Sequence, residues 1–127
     1  MESYRFIVDS SVFVAFYYKD DSDHNEALRV MTDLEHKLLV VHPYVIQEVV
    51  TVLTYKAGNK TAGLFLQDIF DDASDIIIPP VTIYADAEFF KSFSKKVSFT
   101  DATLIHLSKT LRIPVVTFDR QIISLLR

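Results

Sequence analysis

Cysteine and tryptophan are absent from the sequence, and only two of its 127 residues are glycine. Without cysteine there are no disulfide bonds and no thiolate metal sites. Gly58 and Gly63 lie together in one short stretch, so no glycine-rich loop can hold a phosphate, and neither a Walker nor a dinucleotide-binding pattern occurs. The sequence therefore disfavours thiol chemistry and the common nucleotide-binding folds.

Zinc-site spacing and long apolar runs are also lacking. The four histidines show no zinc spacing, and we expect surface or partly buried side chains at His24, His36, His42 and His106. No apolar run approaches the roughly 18 residues that a membrane-spanning helix needs. No signal peptide is visible either, so we expect a cytoplasmic protein with no membrane partner. Half of the residues are hydrophobic, which predicts one globular domain, residues 1–127, with a proper core.

Short segments rich in valine and isoleucine alternate with longer segments of helical pattern. The predicted strands are residues 5–9, 38–41, 76–78 and 114–117. The predicted helices are residues 10–18, 23–35, 43–56, 60–70, 81–95, 100–111 and 119–126. This alternation predicts right-handed crossovers and a short parallel sheet covered on both faces. The predicted fold class is therefore α/β, a three-layer α/β/α sandwich.

Several helix boundaries carry local signals. The acidic run of residues 20–23 predicts a capped start for the second helix. Pro43 suits the first turn of the third helix, and Gly58 with Asn59 predicts its C-terminal cap. These signals support the element boundaries given above.

Four acidic residues stand where an apolar segment ends or inside an apolar helix: Asp9, Glu48, Asp101 and Asp119. Asp9 and Asp119 follow predicted strands, and ligands of open parallel sheets bind at the carboxyl ends of strands. Clustered carboxylates repel one another, by about 1 kcal/mol per pair at about 4 Å in water. A hard divalent cation is the usual way to hold them together, so this pattern predicts a metal-dependent enzyme.

Each acid also has an ordinary structural interpretation. Asp9, Asp101 and Asp119 stand near predicted helix starts, where a carboxylate caps the helix or interacts favourably with its dipole. Glu48 lies at the margin of an apolar helix stripe, where a solvated glutamate is equally typical. The metal-site hypothesis therefore depends on the four acids together.

The formal net charge of −4 argues against a protein that covers phosphates with lysine and arginine. It does not exclude an enzyme that acts on nucleic acid, because bound cations neutralise clustered acids and a substrate phosphate bridges to those cations. Lys95, Lys96 and Arg120 lie near two of the acids in the sequence. They are candidates for contacts with a nucleic-acid backbone.

Aromatic residues are concentrated in one predicted helix, at Tyr84, Phe89, Phe90 and Phe93. We expect them mostly in the core. A part of this group, together with the aromatics of residues 17–18, is an alternative candidate for a protein interface.

Several motifs taken together resemble those of the PIN-domain ribonucleases. They are Val-Asp-Ser-Ser-Val at residues 8–12, Glu48 in its apolar helix, Ser-Phe-Thr-Asp-Ala at residues 98–102 and Ile-Pro-Val-Val-Thr-Phe-Asp at residues 113–119. The resemblance covers essentially the whole chain and is greatest to the VapC-type toxins of prokaryotic toxin–antitoxin pairs. Members of that family commonly continue into a further short strand, which we expect this chain to lack.

The resemblance implies a function and a set of site residues. It implies an endoribonuclease with magnesium or manganese bound by its catalytic residues Asp9, Glu48, Asp101 and Asp119, and with Thr117 supporting the last acid by hydrogen bonding. It also implies RNA as substrate, a homodimer, and an antitoxin that carries a basic segment.

Other functions stay open at this point. A housekeeping RNA-processing or repair nuclease would share the fold without an antitoxin, and a catalytically silent interaction module would use the fold as a scaffold. The presence of all four acids counts against a silent module. Phosphatases of the haloacid-dehalogenase type need a second aspartate where this chain has Ser11, and no Gly-x-Ser-x-Gly pattern supports a serine hydrolase.

Overall fold

The computed structural model describes residues 4–71 and 74–127. Within these ranges helices and strands alternate along the chain as follows: β1 (Arg5–Val8), α1 (Ser10–Tyr17), α2 (His24–Asp33), β2 (Leu38–Val40), α3 (Pro43–Ala57), α4 (Asn59–Ile69), β3 (Ile76–Ile77), α5 (Ile83–Lys91), α6 (Phe99–Leu111), β4 (Val115–Val116) and α7 (Arg120–Leu125).

The four strands form one parallel sheet in the order β3-β2-β1-β4. Ile7 of the central strand β1 pairs with Val40 of β2 on one side and with Val115 of β4 on the other. Helices α1 to α4 form one packed group, in which α3 contacts both α1 and α4, while α6 contacts α5, α7 and β4. The predicted α/β/α architecture is confirmed.

The core lies around β1 and β2 and the helices that cover them. Ile7 and Val8 are fully buried, as a strand enclosed on both faces requires. Phe13 of α1 and Phe65 of α4 meet at a ring-centroid distance of 5.2 Å. This packing fixes the position of the β1 carboxyl end, from which Asp9 projects.

The boundaries of α3 follow the predicted signals. Pro43 occupies the first turn, and His42 precedes it as N-cap, its Nδ1 accepting a hydrogen bond from the Tyr44 backbone N–H at 3.0 Å. Gly58 ends the helix with φ of 96°, a conformation that favours glycine. The prediction of a partly exposed His42 is wrong, because this side chain is buried.

Two other local predictions need correction. Asp23 stands at the N-cap of α2, but among the described residues its side chain makes no capping bond; Asp21 accepts from the Asp23 backbone N–H instead. Helix α5 ends at Lys91 rather than at residue 95. Ser92 bonds the Phe89 carbonyl through both its backbone N–H and its hydroxyl, and such local bonds compete with helix continuation.

The aromatic residues of this region are not in the core. Tyr84 is 89% exposed and Phe90 is 37% exposed, so the expectation of a mostly buried group is wrong. No helix in the described part of the chain is long and apolar enough to cross a bilayer.

Candidate active site

The ends of β1 and β4 bring Asp9 and Asp119 to one edge of the sheet. The two strands are adjacent and parallel, and the backbone N–H of Asp9 donates to the Val116 carbonyl at 3.0 Å. Asp9 follows β1 directly, and Asp119 precedes α7. The structure therefore places both aspartates at the carboxyl end of the sheet, where the sequence predicted a crevice.

Hydroxyl groups hold the carboxylate of Asp9. This residue is only 3% exposed, and its Oδ2 accepts hydrogen bonds from the hydroxyls of Ser11 and Thr117, each at 2.8 Å. Asp9 stands at the N-cap of α1, yet within the described residues its side chain makes no capping bond. The helix-capping interpretation of Asp9 is therefore wrong.

The same two hydroxyls connect the segment after β1 to the segment after β4. Ser11 Oγ accepts from the backbone N–H of Phe118 at 3.1 Å, and Thr117 Oγ1 accepts from that of Asp119 at 2.9 Å. Thr117 thus donates to one acidic residue and accepts from the backbone of another. A single side chain fixes the spacing between Asp9 and Asp119.

Glu48 reaches this site from α3. The hydroxyl of Ser10 donates to Glu48 Oε1 and lies 3.5 Å from Asp9 Oδ1. Glu48 is half-buried, in agreement with its position at the margin of the apolar stripe. The bond to Ser10 turns its carboxylate toward the end of β1.

Asp101 lies in the first turn of α6, which begins with a side-chain cap. Ser98 Oγ accepts from the Asp101 backbone N–H at 3.0 Å. Burial raises the pKa of Asp101 to about 6, and the charges of Asp9, Asp119 and Glu48 add to this rise, while the hydrogen bond with Ser98 opposes it. Because all three other acids act on Asp101, the four carboxylates form one electrostatic cluster.

Asp119 caps a helix and also belongs to the acidic cluster. Its Oδ1 accepts from the Gln121 backbone N–H at 2.8 Å and so caps α7. Its charge also acts on Asp101. The capping interpretation is correct for this residue and does not remove it from the acidic cluster.

Comparison with known proteins identifies the family. Residues 6–125 match the family model of the PIN domain. This chain belongs to the PIN domain family.

A solved structure supports the same assignment of fold. The PIN domain described here superposes on the crystal structure of VapC20 from Mycobacterium tuberculosis, described as a Sarcin-Ricin loop cleaving toxin, with a TM-score of 0.83. The two share 18% sequence identity over 94% of each chain. No curated protein sequence matches this PIN domain significantly.

The side chains of this PIN domain fit a hard cation by chemistry. Carboxylates are the ligands that magnesium prefers, and the charges of Asp9, Asp119 and Glu48 contribute, after burial, to the raised pKa of Asp101. In the described parts of the chain, no three His, Asp or Glu side chains are gathered closely enough to hold an ion.

The three cationic candidates lie on the surface near this edge. Lys95, Lys96 and Arg120 are exposed. Gln121 Nε2 donates to the Lys96 carbonyl at 2.6 Å, which holds the loop before α6 against the start of α7. Lys96 and Arg120 thus belong to segments that flank Asp101 and Asp119.

Sequence reasoning missed the serine residues of the site. No role at the site was predicted for Ser10, Ser11 or Ser98, yet these residues bond Glu48, Asp9 and the Asp101 backbone. The available signal was their position, one or two residues after Asp9 and three residues before Asp101. A hydroxyl at such a position is a ready donor or cap.

Proposed function

We propose that this PIN domain is a metal-dependent endoribonuclease and the toxin of a VapBC-type toxin–antitoxin pair. Its proposed catalytic and metal-binding residues are Asp9, Glu48, Asp101 and Asp119. The observation that carries the proposal is the hydrogen-bonded arrangement at the carboxyl end of the sheet, where Thr117 connects Asp9 to Asp119 and Ser10 lies between Asp9 and Glu48. PIN nucleases generally use divalent metals, which agrees with this cluster.

The roles of the side chains follow from their contacts. A bound magnesium or manganese ion supplies charge that polarises the scissile phosphate and lowers the pKa of a water molecule. Ser11 and Thr117 orient the Asp9 carboxylate, because both hydroxyls donate to its Oδ2. Ser10 orients Glu48 in the same way.

The proposed reaction is hydrolysis by in-line attack. Water attacks the phosphorus, the bond between phosphorus and O3′ breaks, and the leaving oxygen takes up a proton. The products are a 3′-hydroxyl end and a 5′-phosphate end. End analysis of the cleaved RNA checks this step.

Cleavage of RNA by the purified protein tests the enzymatic part. We expect cleavage with manganese or magnesium, none with excess chelator, and a loss of at least about 100-fold in Asp9→Asn. Asp20→Asn, at an exposed position outside the cluster, is the matched control and should cleave like the wild type. A wild-type protein that cuts no RNA with manganese, or an Asp9→Asn protein that cuts normally, would contradict the proposal.

Metal binding has a readout that does not depend on activity. A cation that binds the folded cluster raises the melting temperature, so millimolar manganese should stabilise the wild type and calcium should do so less. The Asp9→Asn variant should lose this rise, and Asp20→Asn should keep it. An undiminished manganese effect in Asp9→Asn would remove Asp9 from the proposed ligands.

We further propose a cytoplasmic homodimer inhibited by an antitoxin with a basic segment. The net charge of −4 and the acidic cluster favour arginine, which pairs well with carboxylates in the absence of metal. The hypothesis is that an arginine of the antitoxin reaches Asp9 or Asp101 and excludes the metal.

The aromatic residues that were candidates for a protein interface do not lie together in the fold. Tyr17 packs against Phe65 in the α1–α4 group, whereas Phe89 packs against Phe93 and His106 beside α6. The aromatics of residues 17–18 and those of α5 thus belong to different helix groups rather than to one cluster.

Co-purification from the native operon tests the partner. We expect a complex with a small basic partner, encoded by a neighbouring gene, and weak nuclease activity until the partner is removed. A chain that emerges alone, monomeric and fully active favours the housekeeping RNA-processing nuclease instead.

A further inference from the structure

An open cavity of about 380 Å³ lies beside the acidic cluster, between α3 and the start of α6. Its lining includes Tyr44, Gln47 and Thr51 of α3 and Phe99 of α6. Glu48 also lines it, so the cavity and the acidic cluster share a side chain. Any group bound in this cavity therefore lies next to the proposed cleavage site.

One wall of the cavity is aromatic. The rings of Tyr44 and Phe99 are 5.8 Å apart, and Phe90 supports Phe99 from behind at 5.6 Å. Unlike aliphatic side chains, such rings offer flat faces on which another flat group can stack.

Apart from the two aromatic rings and Val52, the lining is polar and carries no charge except that of Glu48. Gln47 and Thr51 are exposed and lie one turn apart on α3, so their side chains are neighbours. The Gln47 amide can donate and accept hydrogen bonds at the same time. None of the described residues that line the cavity is a lysine or arginine, and Glu48 repels phosphate, so the cavity suits a neutral flat group with polar edges.

We propose that this cavity binds one nucleobase of a single-stranded RNA, adjacent to the scissile phosphate. The base stacks on the aromatic wall, and Gln47 and Thr51 contact its polar edge, which makes them determinants of the cleaved sequence. Proteins read single-stranded RNA in this way, by stacking splayed bases on aromatic side chains and bonding their edges. The inference rests on the proposed ribonuclease function and adds the class of group recognised.

A single-stranded RNA pool with a randomised segment tests the proposal. The wild type, incubated with manganese, should cut with a base preference at one position fixed relative to the cleaved bond. Gln47→Ala and Thr51→Val should weaken that preference by about 10-fold, chiefly because cleavage of the preferred sequence slows. Both residues are exposed, so neither substitution should affect folding.

Two further variants distinguish a loss of base recognition from a general loss of folding or activity. Phe99→Leu keeps an apolar side chain but removes the flat face, and it should raise KM for all sequences by about 10-fold with little change in kcat. Tyr55→Ala changes a residue of the same helix that is 86% exposed and does not line the cavity, so it should retain the wild-type preference. Melting temperatures of all variants establish that they are folded.

The outcomes distinguish this inference from the proposed function. If the wild type cuts neither the pool nor total cellular RNA, the ribonuclease function itself fails. If the wild type cuts without a base preference, or cuts only double-stranded segments of total RNA, the nucleobase pocket is overturned and the nuclease stands. Gln47→Ala and Thr51→Val proteins that keep the full preference, or lose all cleavage equally, also overturn the pocket.

Discussion

Asp9 is almost inaccessible to solvent, and two hydroxyl groups replace the water that its carboxylate would otherwise bind. A buried carboxylate without such donors would be costly. The hydroxyls come from Ser11, two residues along, and from Thr117, far along the chain. Stability and the geometry of the acidic cluster therefore depend on the same small polar groups.

Thr117 offers a direct test of this dependence. Thr117→Val keeps the shape but removes a donor to Asp9 and an acceptor for the Asp119 backbone N–H. We expect the free energy of unfolding to fall by about 1–3 kcal/mol and the cleavage rate to fall with it. Urea unfolding and RNA cleavage measure the two effects.

The control for this test is Thr110→Val, at an exposed threonine of α6. It should change the free energy of unfolding by no more than about 0.5 kcal/mol. A Thr117→Val protein as stable as Thr110→Val would show that these hydroxyl bonds contribute nothing.

The raised pKa of Asp101 predicts a pH dependence of the metal-free protein. Folding raises this pKa from 3.8 to about 6, chiefly through burial, so the folded state holds the proton more tightly than the unfolded state. The contribution of Asp101 to stability therefore increases as the pH falls from about 6 toward 3.8, and it is least favourable above pH 6. Asp101→Asn should be more stable than the wild type at neutral pH without metal.

Denaturant unfolding at a series of pH values, with chelator present, measures this effect. The difference between Asp101→Asn and the wild type should shrink as the pH is lowered, because protonation also removes the charge in the wild type. An Asp101→Asn protein that is less stable at neutral pH would contradict the proposed repulsion among the four acids.

Helix α3 connects the core to the acidic cluster, and a buried histidine begins it. His42 Nδ1 bonds the Tyr44 N–H, and Asp86 of α5 is close enough to act on the charge of His42. Asp86 is itself buried, with His106 Nδ1 of α6 at 3.5 Å from its Oδ1. Three helices thus meet around polar groups.

The neutral form of His42 is the one that this contact requires. Burial lowers the pKa of His42 from 6.5, although the charge of Asp86 opposes the change. The unfolded chain therefore takes up a proton more readily, and the contribution of His42 to stability is lost as the pH falls below about 6.5. His42→Asn keeps a capping acceptor without titrating, so it should lose less stability on acidification than the wild type.

Unfolding measurements in the Asp101→Asn background isolate this effect, because the opposite trend of Asp101 is then absent. At neutral pH, His42→Asn should lower the free energy of unfolding by about 1 kcal/mol through altered packing. At acidic pH, the free energy of unfolding of this variant should change less with pH than that of the protein with His42. If the free energy of unfolding of His42→Asn still falls as steeply with decreasing pH, His42 is protonated equally in the folded and unfolded states.

The helices and strands were predictable to within a few residues because their signals are local. The valine-rich strands, Pro43 and Gly58 all act through neighbouring residues, and the structure confirms them. Helix α5 was predicted too long because its aromatic pattern continues past Lys91, while local bonds of Ser92 end it. The burial of His42 and Asp86 depends on how α3, α5 and α6 pack together, and this packing cannot be predicted from any short stretch of sequence.

The candidate site also contains residues that local sequence predicts and contacts that it does not predict. The strand ends marked Asp9 and Asp119, the apolar surroundings marked Glu48 and Asp101, and the family resemblance then connected all four acids. The serine contacts stayed hidden, because Ser10 meets Glu48 across 38 positions of the chain. Long-range contacts of this kind depend on the tertiary fold.

The proposed ribonuclease function requires an acidic protein to bind a polyanion. The net charge is −4, so the few cations near the acidic cluster carry a large share of any attraction to RNA. Lys96 and Arg120 lie on segments joined by the bond between Gln121 and the Lys96 carbonyl. We interpret this pair as a docking point for the RNA backbone.

Salt dependence tests this interpretation. The double variant Lys96→Ala with Arg120→Ala should raise KM and reduce the slope of log affinity against log salt by about 2, one for each lost phosphate contact. Lys60→Ala, at an exposed lysine of α4, should change neither. An unaltered salt slope in the double variant would place the RNA backbone elsewhere.

Strand β1 lies between β2 and β4 in the sheet, so the acidic cluster can form only after β4 has paired with β1. One of the two hydroxyls that bond Asp9 belongs to Thr117, 108 positions further along the chain, and β1 acquires its second neighbour only when β4 pairs with it. Closing so long a loop is a late and slow event in folding. During synthesis the ribosome would therefore carry a nascent chain whose cluster is still incomplete, and the four carboxylates converge only after β4 has emerged.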